Sequence, residues 1–181
     1  MTDTATQPDD RVTAYARAMF DVARAEGSAE KIGDELFRFA RALDGSDELR
    51  TALTDPHLPP SRRQQIVEDL LGGRAEPTTV SLVSMVVAAG RARDLPAIID
   101  SLVAMAAAAS GRAVAEVRSA VDLTADQRAR LADAIGRATG KQVELKVVVD
   151  PAVLGGLVTT VGDTVIDGSI RTRLEQLKHA L

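Results

Sequence analysis

Residues 110–127, SGRAVAEVRSAVDLTADQ, divide the chain into two kinds of pattern. Before them, apolar residues recur every three or four positions, the period of an α-helix. Within them, Glu116 and Arg118 alternate with Val117, and Val121 follows on the same side as Val117, which is the period of a strand. TADQ at 124–127 then reads as a capping box, in which Thr124 and Gln127 satisfy each other's backbone amides. The helix it opens carries Leu131, Ala134, Ile135 and Ala138 on one face. KQVELKVVV at 141–149 alternates again, with Val143, Leu145, Val147 and Val149 on one side. LVTTV and TVI predict two more short strands.

Working back from this boundary, six helices are predicted. Tyr15, Met19, Val22 and Ala23 form the stripe of the first. Gly27 suits the left-handed position after it, and Ser28 suits the N-cap of the second. Ile32, Leu36, Phe39 and Leu43 carry the second, and a short third ends near Leu53. Pro56, Pro59 and Pro60 forbid helix in the next loop. Ser61 and Gln64 predict a second capping box for the fourth helix, and Pro77 suits the first turn of the fifth. LVSMVVAA in the fifth is apolar nearly all round and predicts a buried helix. Leu95, Ile98, Ile99, Leu102, Val103 and Ala106 form the stripe of the sixth.

The expected fold is α+β, with an N-terminal six-helix bundle and a small C-terminal α/β domain holding a short mixed sheet. Residues 1–10 read as a disordered tail, 11–108 as the bundle and 109–181 as the second domain. Aromatic residues make up only 2 %, so Ala, Val and Leu must build the core.

The net charge of −4 argues against general nucleic-acid binding. No cysteine is present, which excludes disulfides, thiolate catalysis and Cys-ligated zinc. The first ten residues, MTDTATQPDD, lack the basic and apolar regions of a signal peptide. The longest apolar runs are far shorter than the ~20 residues that span a bilayer, so a soluble, cytoplasmic protein is expected.

Residues 155–170, GGLVTTVGDTVIDGSI, raise the question of a phosphate or metal site. Gly155 and Gly156 precede a strand, so no helix N-terminus points at them. GRATGK at 136–141 falls one residue short of a phosphate loop and closes a helix rather than opening one. Asp150, Asp163 and Asp167 make an oxygen site only if folding gathers them. Turn chemistry accounts for the whole stretch: a glycine bend, a Gly162-Asp163 hairpin, and Asp167-Gly168-Ser169 leading into a capped last helix. His57 and His179 have no identifiable catalytic partner. The expectation is no catalytic residue, no cofactor and no metal.

YARAMFDVA at 15–23, AAGRARDLP at 88–96 and VVVDPAVLGGLVTTVGDTVIDGSIRTRLEQL at 147–177 resemble the delta subunit of F-type ATP synthases, the family of the mitochondrial oligomycin-sensitivity-conferring protein. The resemblance implies a non-catalytic stator role at the cytoplasmic face of a bacterial plasma membrane. It implies N-terminal helices of the alpha subunit as partners of the first domain. The b subunit of the peripheral stalk would be the partner of the second. An alpha helix would lie between the first and fifth helices, against Tyr15, Met19 and Val22 on one wall and Val83 and Val87 on the other. Arg171, Arg173 and Lys178 on the last helix are the candidate stalk surface. Two rivals stand beside this reading: a helical adaptor of another complex, and an enzyme using Asp163 and Asp167.

Overall fold

The computed structural model describes residues 8–153, 156–161 and 164–167. The chain is α+β. Its described elements are α1 (Pro8–Ala25), α2 (Ala29–Gly45), α3 (Asp47–Thr54), α4 (Pro60–Leu71), α5 (Pro77–Ala88), a 3-10 turn (Ala92–Asp94) and α6 (Leu95–Ala109). They continue with β1 (Ala113–Ser119), α7 (Ala125–Thr139), β2 (Val143–Val149), β3 (Leu157–Val161) and β4 (Thr164–Asp167). The chain forms two compact units, divided between Ala106 and Ala107.

In the first unit α2 is the organising helix, packing against α1, α3 and α5. Its inward face carries Ile32, Leu36, Phe39, Ala40 and Leu43, all buried. Met19, Leu53, Val67, Val83, Leu95, Ile98, Ile99 and Leu102 complete a core of aliphatic side chains. Gly27 adopts φ +68°, the left-handed conformation a glycine accepts without strain, and so turns the chain from α1 into α2.

Two expected caps are not made. Ser28 sits at the N-cap of α2, but its side chain makes no capping bond, because its backbone (φ −122°, ψ 25°) is not the extended one a cap uses. α4 begins a residue before Ser61. Pro60 occupies its first turn and Pro59 its N-cap, so Ser61 and Gln64 lie inside the helix. Proline at the first helical position, where the missing N–H costs nothing, overrides the serine signal. Ser46 is an unforeseen cap: its hydroxyl accepts the Leu49 N–H at 3.2 Å and starts α3.

In the second unit β1 and β2 pair in parallel, with α7 as the crossover, and β3 and β4 add antiparallel, giving the order β2-β1-β3-β4. Ala115, Val117 and Ile135 form the buried centre, with Leu123, Leu131, Val143, Leu145, Leu157 and Val161 packed around it. The capping box at α7 forms as predicted: Thr124 Oγ1 accepts from Gln127 N at 3.3 Å, and Thr124 N donates to Gln127 Oε1 at 2.8 Å. Two expected inward valines face out instead. Val121 lies beyond the end of β1, and Val149 is the last residue of β2.

Candidate functional site

Three helices of the first unit carry a large apolar residue into solvent: α1 at Val22, α4 at Leu70 and α5 at Met85. On α1, Ala16, Met19 and Ala23 turn inward and are fully buried. Tyr15 is half-buried on the flank, and Val22 is 43 % exposed. The predicted stripe therefore splits: a helix rotates 100° per residue, and Val22 stands one residue off the Met19–Ala23 line. On α5, Leu82, Val83, Val86 and Val87 are buried. Met85 is 44 % exposed, and Ser81 and Ala88, about one turn either side of it, are exposed too. The all-round apolar sequence of α5 is thus not buried all round, a correction to its reading as a fully enclosed helix. α1 and α5 both pack on α2.

Of the five residues expected to line a groove, Met19, Val83 and Val87 have no accessible surface. Their side chains hold the helices in place. Tyr15 and Val22 are reachable from outside, and Met85 joins them as a residue the sequence reading did not single out. Nothing in the sequence singles Met85 out, because the residues around it in LVSMVVAA are all apolar or small.

The orientation of α5 is set by a polar cluster that periodicity does not reveal. Glu35, on the buried face of α2, accepts the Glu76 N–H at 2.9 Å and the Thr79 hydroxyl at 2.6 Å. It thereby satisfies amide and hydroxyl donors at the start of α5, where the helix dipole favours a negative charge. Lys31, one turn before Glu35, pairs with the Glu76 carboxylate. The hydrogen bond to Glu76, and then the attraction of its charge, hold the Lys31 ammonium above its ordinary pKa. Arg41, further along α2, pairs with Asp100 of α6 and stacks 5.0 Å from the Phe37 ring centre.

In the second unit, Gly156 has φ +77° and bends the chain into β3. Val161 pairs with Thr164, so two residues connect β3 to β4. Asp167 is the last residue of β4, opposite Val158. Gly155, Gly162, Asp163, Ser169, Arg171, Arg173 and Lys178 lie outside the described residues. Asp150 accepts the Ala152 N–H at 2.9 Å, closing a turn after β2. Among the described residues no group of three His, Cys, Asp or Glu side chains gathers as metal ligands. No described helix is long and apolar enough to cross a membrane.

The sequence and the fold have counterparts. A relative from Parafrankia named ATP synthase subunit delta is 44 % identical over 159 residues, covering 88 % of this chain and 57 % of the relative. One of the same name from Nocardia farcinica is 42 % identical over 164 residues, covering 91 % and 61 %. The chain thus spans less than two thirds of the length of these relatives. A chain in the cryo-EM structure of the Toxoplasma gondii mitochondrial ATP synthase hexamer superposes with a TM-score of 0.55 at 20 % identity, covering 93 % of this chain and 96 % of that one, a likeness of fold. The family model for the ATP synthase delta (OSCP) subunit matches residues 12–181. With nearly the whole chain inside that match, the protein belongs to the ATP synthase delta (OSCP) subunit family.

Proposed function

We propose that this chain is a non-catalytic stator subunit of an F-type ATP synthase, working at the cytoplasmic face of a bacterial plasma membrane. In this reading α1–α6 act as one bundle, residues 11–108, that receives an N-terminal helix of the alpha subunit. Residues 109–181 meet the b subunit of the peripheral stalk. The chain resists the torque of the rotor, so that proton flow is coupled to ATP chemistry carried out elsewhere.

The observation that carries the reading is the pair of exposed apolar residues, Val22 and Met85, on two helices that both brace against α2. A partner helix binds such a surface by burying a few apolar anchors, each worth ~1–4 kcal/mol. Tyr15, Val22 and Met85 would touch the alpha helix. Met19, Val83 and Val87 would support that surface from below. A rigid floor suits a load-bearing joint, since a packed aliphatic core transmits strain rather than absorbing it.

Affinity-tagged chain, mixed with purified alpha and b subunits, tests the proposal. Retention of both is the expected result. Retention of neither, under conditions where the chain is folded, overturns it.

A further inference from the structure

Three cations from three separate segments converge at one end of the second unit. Arg112 precedes β1, Arg137 lies in the last turn of α7, and Lys141 sits in the loop between α7 and β2. The parallel register Ala113↔Val143 and the bond from Ala113 N to Gln142 O at 2.8 Å set the two strand starts side by side, with Arg112 beside them. Gly140, at φ +69°, ends α7 and returns the chain sharply to β2. The concavity between these segments measures about 650 Å³ and is lined by all three cations and one carboxylate, Asp133.

Among the described residues the three cations of this concavity have no ion-pair partner. Arg137 follows Asp133 by four residues, the spacing at which helical ion pairs form. Yet among the described residues neither it, Arg112 nor Lys141 makes a salt bridge, while Arg118, Arg128 and Arg130 of the same unit each pair with a carboxylate. Arg137 also complements the C-terminal dipole of α7, but that does not account for Arg112 or Lys141.

We infer that this concavity is a docking site for an acidic peptide segment of a partner protein, whose carboxylates are held by Arg112, Arg137 and Lys141. Charge complementarity selects this occupant. The surface is locally cationic on a chain of net charge −4, so a carboxylate-bearing segment is drawn to this place and repelled by much of the rest. A single-stranded nucleic acid is disfavoured, because the second unit itself contains no Phe, Tyr or Trp on which a base could stack. A membrane surface is disfavoured as well, since a concave site with three charges presents less to a flat sheet of headgroups than to a single strand. Guanidinium groups suit the occupant further, as each can bind a carboxylate through two parallel hydrogen bonds. The inference stands apart from the alpha-subunit surface on the first unit.

The test uses the full chain and a fluorescein-labelled oligoglutamate peptide, read by anisotropy. Binding is expected at low salt and should weaken as salt rises. Combined Arg112→Gln, Arg137→Gln and Lys141→Gln replacement should weaken it about tenfold. Arg62→Gln, on exposed α4 of the other unit, should leave it unchanged, and unaltered circular dichroism of the triple variant excludes unfolding as the cause. Equal peptide affinity in the triple variant and the unmodified chain overturns the inference. So does tighter binding of duplex DNA or of phosphatidylglycerol vesicles at the same concavity.

Discussion

Thr79 donates its hydroxyl to the Glu35 carboxylate at 2.6 Å, which fastens the first turn of α5 to the middle of α2 across 44 residues of sequence. Glu35 is buried, and its second bond goes to the Glu76 amide. Removing the carboxylate strands those donors without water. Glu35→Ala should therefore destabilise the first unit by about 1–3 kcal/mol in chemical denaturation. Glu35→Gln keeps one acceptor oxygen and should cost less. Equal stability of Glu35→Ala and the unmodified chain would show that the α5 start is held by packing alone.

The neighbouring Lys31–Glu76 pair sets a pH dependence. The folded state holds the Lys31 pKa above its ordinary value of 10.5, with the Glu76 hydrogen bond as the leading cause. A group whose pKa is raised on folding contributes stability that is present in full below the unfolded pKa and lost as pH rises through the folded one. No change is expected from this pair near neutrality, and a decline is expected in alkali above 10.5. Lys31→Met should remove that component, so the melting temperatures of variant and unmodified chain should converge in alkali. The pair is exposed, so the difference at neutral pH should be small.

Two glycines should respond in opposite senses to alanine. Gly33 lies within α2, and a methyl group there meets no atom within 4 Å. Gly33→Ala should stabilise the chain by about 0.5–1 kcal/mol, by reducing the freedom of the unfolded backbone. Gly72 closes α4, where a Cβ would stand 2.5 Å from the Glu68 carbonyl oxygen. That contact is with backbone and cannot yield cheaply, so Gly72→Ala should destabilise. Thermal melts of the two variants that move in the same direction would contradict this reading of the local geometry.

The sequence carried the fold further than it carried the surface. Period and turn chemistry announced the seven described helices, the four strands and the α7 capping box, because each rests on residues near one another in the chain. The Glu35–Thr79 bond was invisible, because a single glutamate on an apolar stripe looks the same whether it faces solvent or a distant helix start. Ser61 misled because local cap propensity competes with the stronger constraint of two adjacent prolines. Met85 was hidden by composition: in LVSMVVAA every position is apolar or small, and only neighbouring helices decide which one is left uncovered.

Ser84 illustrates the same limit from the inside. Its hydroxyl is buried in α5 with no hydrogen-bond partner among the described residues. Ser84→Ala removes an unpaired polar group and fits the space left behind. It should hold stability constant or raise it by up to about 1 kcal/mol. A clear loss in denaturant midpoint would mean that the hydroxyl has a partner, such as an ordered water.

Val22 and Met19 lie three residues apart on α1, yet they should separate folding from binding. Met19 is fully buried, so Met19→Asp places an unpaired charge in the aliphatic core. That should cost about 3–5 kcal/mol and unfold much of the first unit, visible as lost helical circular dichroism. Its effect on a partner would then carry no information about the interface. Val22 is 43 % exposed, and Val22→Asp should leave the helical signal and the melting temperature nearly unchanged. If the α1 face receives an alpha-subunit helix, the same substitution should weaken binding of an alpha N-terminal peptide by about 1–3 kcal/mol in calorimetry, and Met85→Asp should do likewise from α5. Undiminished peptide affinity in both folded variants would move the contact surface away from these two helices.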